Sequence, residues 1–174
     1  MQALEFFFDE DAEAEVRALW RRLDEAGVPS LDGRTHRRHR PHLTFAMGSV
    51  FTRGVRAALA TDLQLLSLPR LWLYTLGTFP SNDNGLFLAS IVDTELLAVH
   101  SAVHDILATK VRNPSAYYLP GSWVPHCMLA TEIEPDRLAA GFAALHPVEP
   151  IHARLCEVGI TDTHTGQTDT LLSR

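Results

Sequence analysis

The sequence predicts a mixed fold of strands and helices, with one bilobed domain over residues 1–174 and similar halves at roughly 1–90 and 91–174. Three observations predict it. Apolar positions switch between strand and helix periods along the whole chain. Each half carries one proline-histidine strand, "RPHLTFAMG" at Arg40–Gly48 and "VPHCMLAT" at Val124–Thr131, and the two histidines lie about half the chain apart. No linker rich in Gly or Ser divides the halves, and 174 residues with 46% apolar content are enough for a real core.

The elements follow in order. "LEFFFD" (Leu4–Asp9) reads as a buried strand. From Asp11 to Ala26, Val16, Leu19, Trp20 and Leu23 fall at helical spacing, and Gly27 is a natural stop. A basic loop, "RTHRRHRP", leads into the strand "HLTFAMG". A weaker helix spans about Thr52–Leu66. Leu71–Phe79 and Leu86–Val92 flank "PSNDNG", where Asn84-Gly85 is a hairpin signal. The second half repeats the rhythm. Thr94 is the expected N-cap of a helix carrying Leu96, Val99, Val103, Ile106 and Leu107. A loop with two prolines, "RNPSAYYLPGS", precedes the strand "WVPHCMLA". Pro135 starts a helix with Leu138, Phe142 and Leu145, and "ARLCEVGITDT" and "DTLLS" close the chain as strands.

A net charge of −6 argues against a large duplex DNA footprint, which needs a basic face. It leaves room for a small nucleotide or a single RNA end, because the local loop Arg34, His36, Arg37, Arg38, His39 and Arg40 suffices for that. Only two cysteines occur, Cys127 and Cys156, both in strand-like runs, so no disulfide framework is expected. "MQALEFFFDEDAEAE" turns acidic without a basic leader or long apolar stretch, so a cytoplasmic protein with no membrane partner is expected.

His42, Thr44 and Ala46 share one strand parity, while Leu43, Phe45 and Met47 share the other. One face thus carries an imidazole and a hydroxyl opposite a core face. Two such strands in matching halves would bring two imidazoles to one cleft. Opening a cyclic phosphate needs a base to activate water and an acid to protonate the leaving sugar oxygen. A pair of histidines serves both roles near neutral pH. Thr44 would donate to a phosphate oxygen as charge develops there.

"HLTF" at His42–Phe45 and "HCML" at His126–Leu129 resemble the H-x-T/S-hydrophobic signature of the two-histidine (2H) phosphoesterase superfamily. The chain is most similar to its bacterial 2′-5′ RNA ligase-like branch, over nearly its whole length. The resemblance implies an α+β, bilobed duplicated fold, with two antiparallel sheets and outer helices around a central cleft. It implies metal-free, cofactor-free phosphodiester chemistry on 2′,3′-cyclic or 2′-5′ linked nucleotide and RNA ends, with His42, Thr44 and His126 in the family roles. Met128 stands where the family has Thr or Ser, and a thioether donates no hydrogen bond. Thr131 has the opposite parity from His126 and is expected to point away. An impaired enzyme, and a nucleotide or RNA-end binding protein on the same fold, therefore both stay open; coincidental histidines in a structural protein are the weaker third reading.

Arg38 and Arg40 are expected to grip phosphate or to be solvated, and Tyr117, Tyr118 and Trp123 to stack on a base or to pack between lobes. His100 and His104, at helical i, i+4 spacing, lack the HExxH glutamate and an evident third ligand, so a helix edge is the simpler account than a metal.

Overall fold

The computed structural model describes residues 1–34, 36–80, 84–108 and 110–174. Among them the element order is β1 (Gln2–Phe8), α1 (Glu10–Glu25), β2 (His42–Gly48), α2 (Arg53–Leu65), β3 (Arg70–Gly77), β4 (Leu86–Ser90), α3 (Thr94–Leu107), β5 (His126–Ala130), α4 (Leu138–Leu145), β6 (Ile151–Asp162) and β7 (Thr168–Ser173). Short 3-10 turns at Ala116–Tyr118 and Pro135–Arg137 precede β5 and α4.

The strands form one seven-stranded antiparallel sheet in the order β2-β1-β6-β3-β4-β5, with β7 also on β6. The expected two separate sheets are thus a single one. The reason is the twelve-residue β6: its first four residues, Ile151–Arg154, pair with β3, and Leu155–Asp162 pair with β1. Next to the exchange of partners, Phe7 faces Glu157 but Phe8 faces Leu155, so Cys156 is a bulged residue. Its thiol donates to the Phe8 carbonyl at 3.0 Å. The sheet curls until its two edge strands, β2 and β5, come into contact. The buried Cys127 thiol lies beside the His42 backbone, and burial pushes it up to about 12.

The helices pack on the face opposite the histidines. In α1, Ala12, Val16, Leu19, Trp20 and Leu23 make the buried stripe, and Glu10, Asp11 and Glu13 in the first turn favour its positive N-terminal end. Its N-cap Asp9 makes no side-chain cap, because both carboxylate oxygens are taken by Arg154. Gly27 ends the helix in the left-handed region at φ 74. The cap of α3 is Asp93 rather than Thr94: Asp93 Oδ1 accepts from Leu96 N at 2.8 Å, so Thr94 is the first helical residue. Alternation on β1 sends Leu4, Phe6 and Phe8 into this core, where Phe6 stacks on Phe45 of β2 at 3.8 Å. Residues 81–83 of the "PSNDNG" turn lie outside the described residues; the strands it joins do pair antiparallel.

Candidate active site

His42 and His126 open the two edge strands and line one cavity of about 190 Å³. Each is preceded by proline, which favours an extended backbone in the residue before it. In both motifs the carbonyl two residues back then meets the imidazole: His42 Nδ1 lies 2.6 Å from the Arg40 carbonyl, and His126 Nδ1 lies 2.7 Å from that of Val124. A carbonyl only accepts, so Nδ1 carries the proton in both rings and Nε2 is left for chemistry. Burial lowers the His126 pKa, and the nearby His42 charge lowers it further. The rings of Phe79 and Phe87, 4.9 and 5.3 Å from it, supply the apolar surroundings.

Thr44 lines the same cavity, as do Arg38, Arg40 and Met128. The Tyr118 phenol lies beside Thr44 in the cleft, its pKa raised by burial and by the charge of Glu5. Thr131 also lines the cavity, against the expectation from parity. It stands one residue beyond β5, and the chain turns sharply at Glu132, φ 52, so strand alternation no longer governs it. Arg40 is committed to Glu157 at 2.9 Å and Glu13 at 3.5 Å and lies over the Phe7 ring. Arg34 is held by Glu132 and the Thr131 carbonyl. Among the described residues no carboxylate pairs with Arg38, which leaves its charge to the cleft.

A family model of the 2′-5′ RNA ligase superfamily matches residues 8–167, a span that includes both motif strands. The chain belongs to the 2′-5′ RNA ligase superfamily. The structure of Kluyveromyces marxianus Usb1 has the same fold, with a TM-score of 0.55 over 98% of this chain and 97% of that one, at 10% sequence identity. Comparison with curated proteins returns no match.

Other expected contacts of this superfamily member fall elsewhere. Trp123 does not line the cavity: its indole stacks on His100 at 3.9 Å and 5°, and its N–H donates to the Thr44 carbonyl. Tyr117 is 81% exposed and borders a second cavity of about 410 Å³, with Phe79, Tyr118, Val124, His126 and Met128. His100 and His104 are braces rather than a helix edge. His100 is buried with Nε2 at the Tyr118 carbonyl, 2.9 Å away, and His104 Nε2 meets the Phe45 carbonyl at 3.0 Å. Among the described residues no three His, Cys, Asp or Glu side chains are grouped to hold a metal, and no helix is long and apolar enough to cross a membrane.

Sequence reasoning missed Glu5. On β1 it has the cleft parity, directly across from Thr44, and its Oε1 lies 3.4 Å from His42 Nε2. A lone carboxylate inside "ALEFFF" was the available signal, since such a group needs partners when buried.

Proposed function

We propose that the protein is a metal-independent phosphodiesterase that opens 2′,3′-cyclic phosphates or cleaves 2′-5′ linkages at nucleotide or RNA ends. One observation carries the reading: two imidazoles, each tied at Nδ1 to the carbonyl two residues back, leave Nε2 free in a single cleft. One takes the proton of the attacking water and the other protonates the departing ribose oxygen. Thr44 donates to the phosphate as charge builds, Arg38 draws the anion in, and Arg40 fixes the loop. The apolar cavity at Tyr117 takes the base. The order strand-helix-strand-helix-strand occurs twice, β1 to β3 and β4 to β6, which supports one duplicated domain with two lobes around the cleft. Duplex DNA is not a substrate for a chain of net charge −6. Two free cysteines fit a reducing cytoplasm.

Met128 favours a second reading, a binder of the same ends with weakened chemistry, since its thioether fills space where a hydroxyl would donate. Turnover of 2′,3′-cyclic nucleotides and of oligonucleotides with cyclic ends decides between them. His42→Ala and His126→Ala are each expected to lower kcat by about 10²- to 10⁴-fold, and a chelator to leave the rate unchanged. Binding without turnover in the parent protein establishes the second reading.

A further inference from the structure

Glu5 is 8% exposed, and a buried carboxylate is retained only with partners. Its partners come from two other strands, β6 and β2. Oε2 accepts from Thr161 Oγ1 at 2.5 Å, and Thr161 shares a hydrogen bond of 2.9 Å with Thr168. Oε1 lies 3.4 Å from His42 Nε2. The nearby cation, Arg40, is taken by Glu157 and Glu13. Among the described residues, His42 is therefore the only basic side chain within ion-pair reach of Glu5. At 3.4 Å the contact is electrostatic and leaves the Nε2–H free to turn to a substrate oxygen.

We propose that Glu5 is a positioning residue that holds His42 in its charged form, which makes His42 the general acid and His126 the general base. The inference rests on the two-histidine reading above and removes the symmetry that the matching Nδ1 anchors leave. The groups facing His42 are Glu5 from β1, His126 from β5, Tyr118 from the 3-10 turn, and His39 and Arg40 from the loop before β2. Of these, Glu5 is the one carboxylate. His126 faces Phe79, Phe87 and Met128 instead, and burial lowers its pKa. Two titratable groups whose surroundings pull them apart are assigned to acid and base by those surroundings.

The step balances. His126 Nε2 takes a proton from water as the water oxygen bonds to phosphorus. The bond from phosphorus to one ribose oxygen breaks, and His42 Nε2–H protonates that oxygen. Proton exchange with solvent then resets both rings.

The test is Glu5→Gln, which keeps the shape and a partner for Thr161. The ring resonances of His42, assigned by their loss in His42→Ala, are followed by NMR against pH without substrate. In Glu5→Gln the His42 ring should lose its proton at lower pH than in the parent. The alkaline limb of kcat/KM should move the same way, and kcat should fall about 10- to 100-fold with KM and Tm held. Glu5→Asp, which keeps the charge but withdraws it, should shift the ring titration less, and it serves if Glu5→Gln does not fold. A His42 titration that coincides with the parent's in whichever variant folds overturns the inference. Because the ring titration needs no substrate, a wrong substrate class leaves it standing. An unmoved titration in a protein that turns over cyclic phosphate removes the Glu5 assignment alone.

Discussion

Trp123 donates its indole N–H to the Thr44 carbonyl at 3.0 Å, so the loop before β5 is fastened to the strand that carries the first motif. Its other side stacks on His100 of α3. The indole is spent on holding β2 in place. Trp123→Phe keeps a ring in the stack and loses the donor. The expected cost is about 1 kcal/mol, read as a fall in Tm of about 2–4 °C, with KM little changed. An unchanged Tm with a strongly raised KM would return Trp123 to the role of a base-stacking platform.

Thr131 and Met128 face the same cavity, so the hydroxyl missing at Met128 has a neighbour able to stand in. Thr131→Val should lower turnover of a 2′,3′-cyclic substrate by about tenfold or more. Met128→Thr should raise it less than tenfold in the parent, and should recover most of the loss in the Thr131→Val background. Equal gains from Met128→Thr in both backgrounds would show that Thr131 makes no contact with the phosphate.

His39 and His100 are both lowered to about 4, burial being the largest cause in each and a neighbouring histidine charge the next. Each binds fewer protons folded than unfolded, so their stabilisation is present above the unfolded value near 6.5 and is lost as pH falls toward about 4. Thermal melts should show Tm declining across that window. His100→Phe fills the stack on Trp123 without a titrating group. It should lower Tm at neutral pH, through the lost contact to the Tyr118 carbonyl, yet flatten the decline on the acid side. A slope identical to the parent's would contradict the assignment.

Gly166 holds a left-handed φ of 68, and a Cβ there would run into the His36 ring. The β6–β7 turn is thus the seat of the basic loop. Gly166→Ala is strained in its backbone and displaces His36 and, with it, Arg38. The expected result is a cost of at least about 1 kcal/mol in stability and a raised KM for a phosphorylated substrate. Arg38→Ala should raise KM alone, so the pair separates loop placement from charge.

Much of this site is legible in the sequence. The strand-helix rhythm and the paired "PH" starts identified β2 and β5, since a period of two and a proline are local properties. His42 and Thr44 do lie on the cleft side, but the alternation breaks after Phe45, where Ala46 turns into the core and Met47 lines the cavity. What escaped depends on how strands meet. Glu5 reads as one polar residue in an apolar run until β1 is set beside β2 in register. Thr131 misleads because alternation stops where a strand stops. His100 reads as a helix edge and Trp123 as either a base platform or a packing residue, and their hydrogen-bond partners are backbone carbonyls that no side-chain pattern encodes. The single sheet was hidden because β6 changes partners midway, and an apolar run reads the same whichever strand it pairs with.

That change of partners has a mechanical meaning. The strands bearing His42 and His126 are the two ends of one hydrogen-bonded ribbon, and β6 is its middle rung. The two ends are joined twice: the long way, through the ribbon that passes the bulge at Cys156, and the short way, where β2 touches β5 and the Trp123 indole meets the Thr44 carbonyl. The ribbon and that clasp close a ring around the cleft, so a ligand wide enough to part the histidines has to open the clasp first.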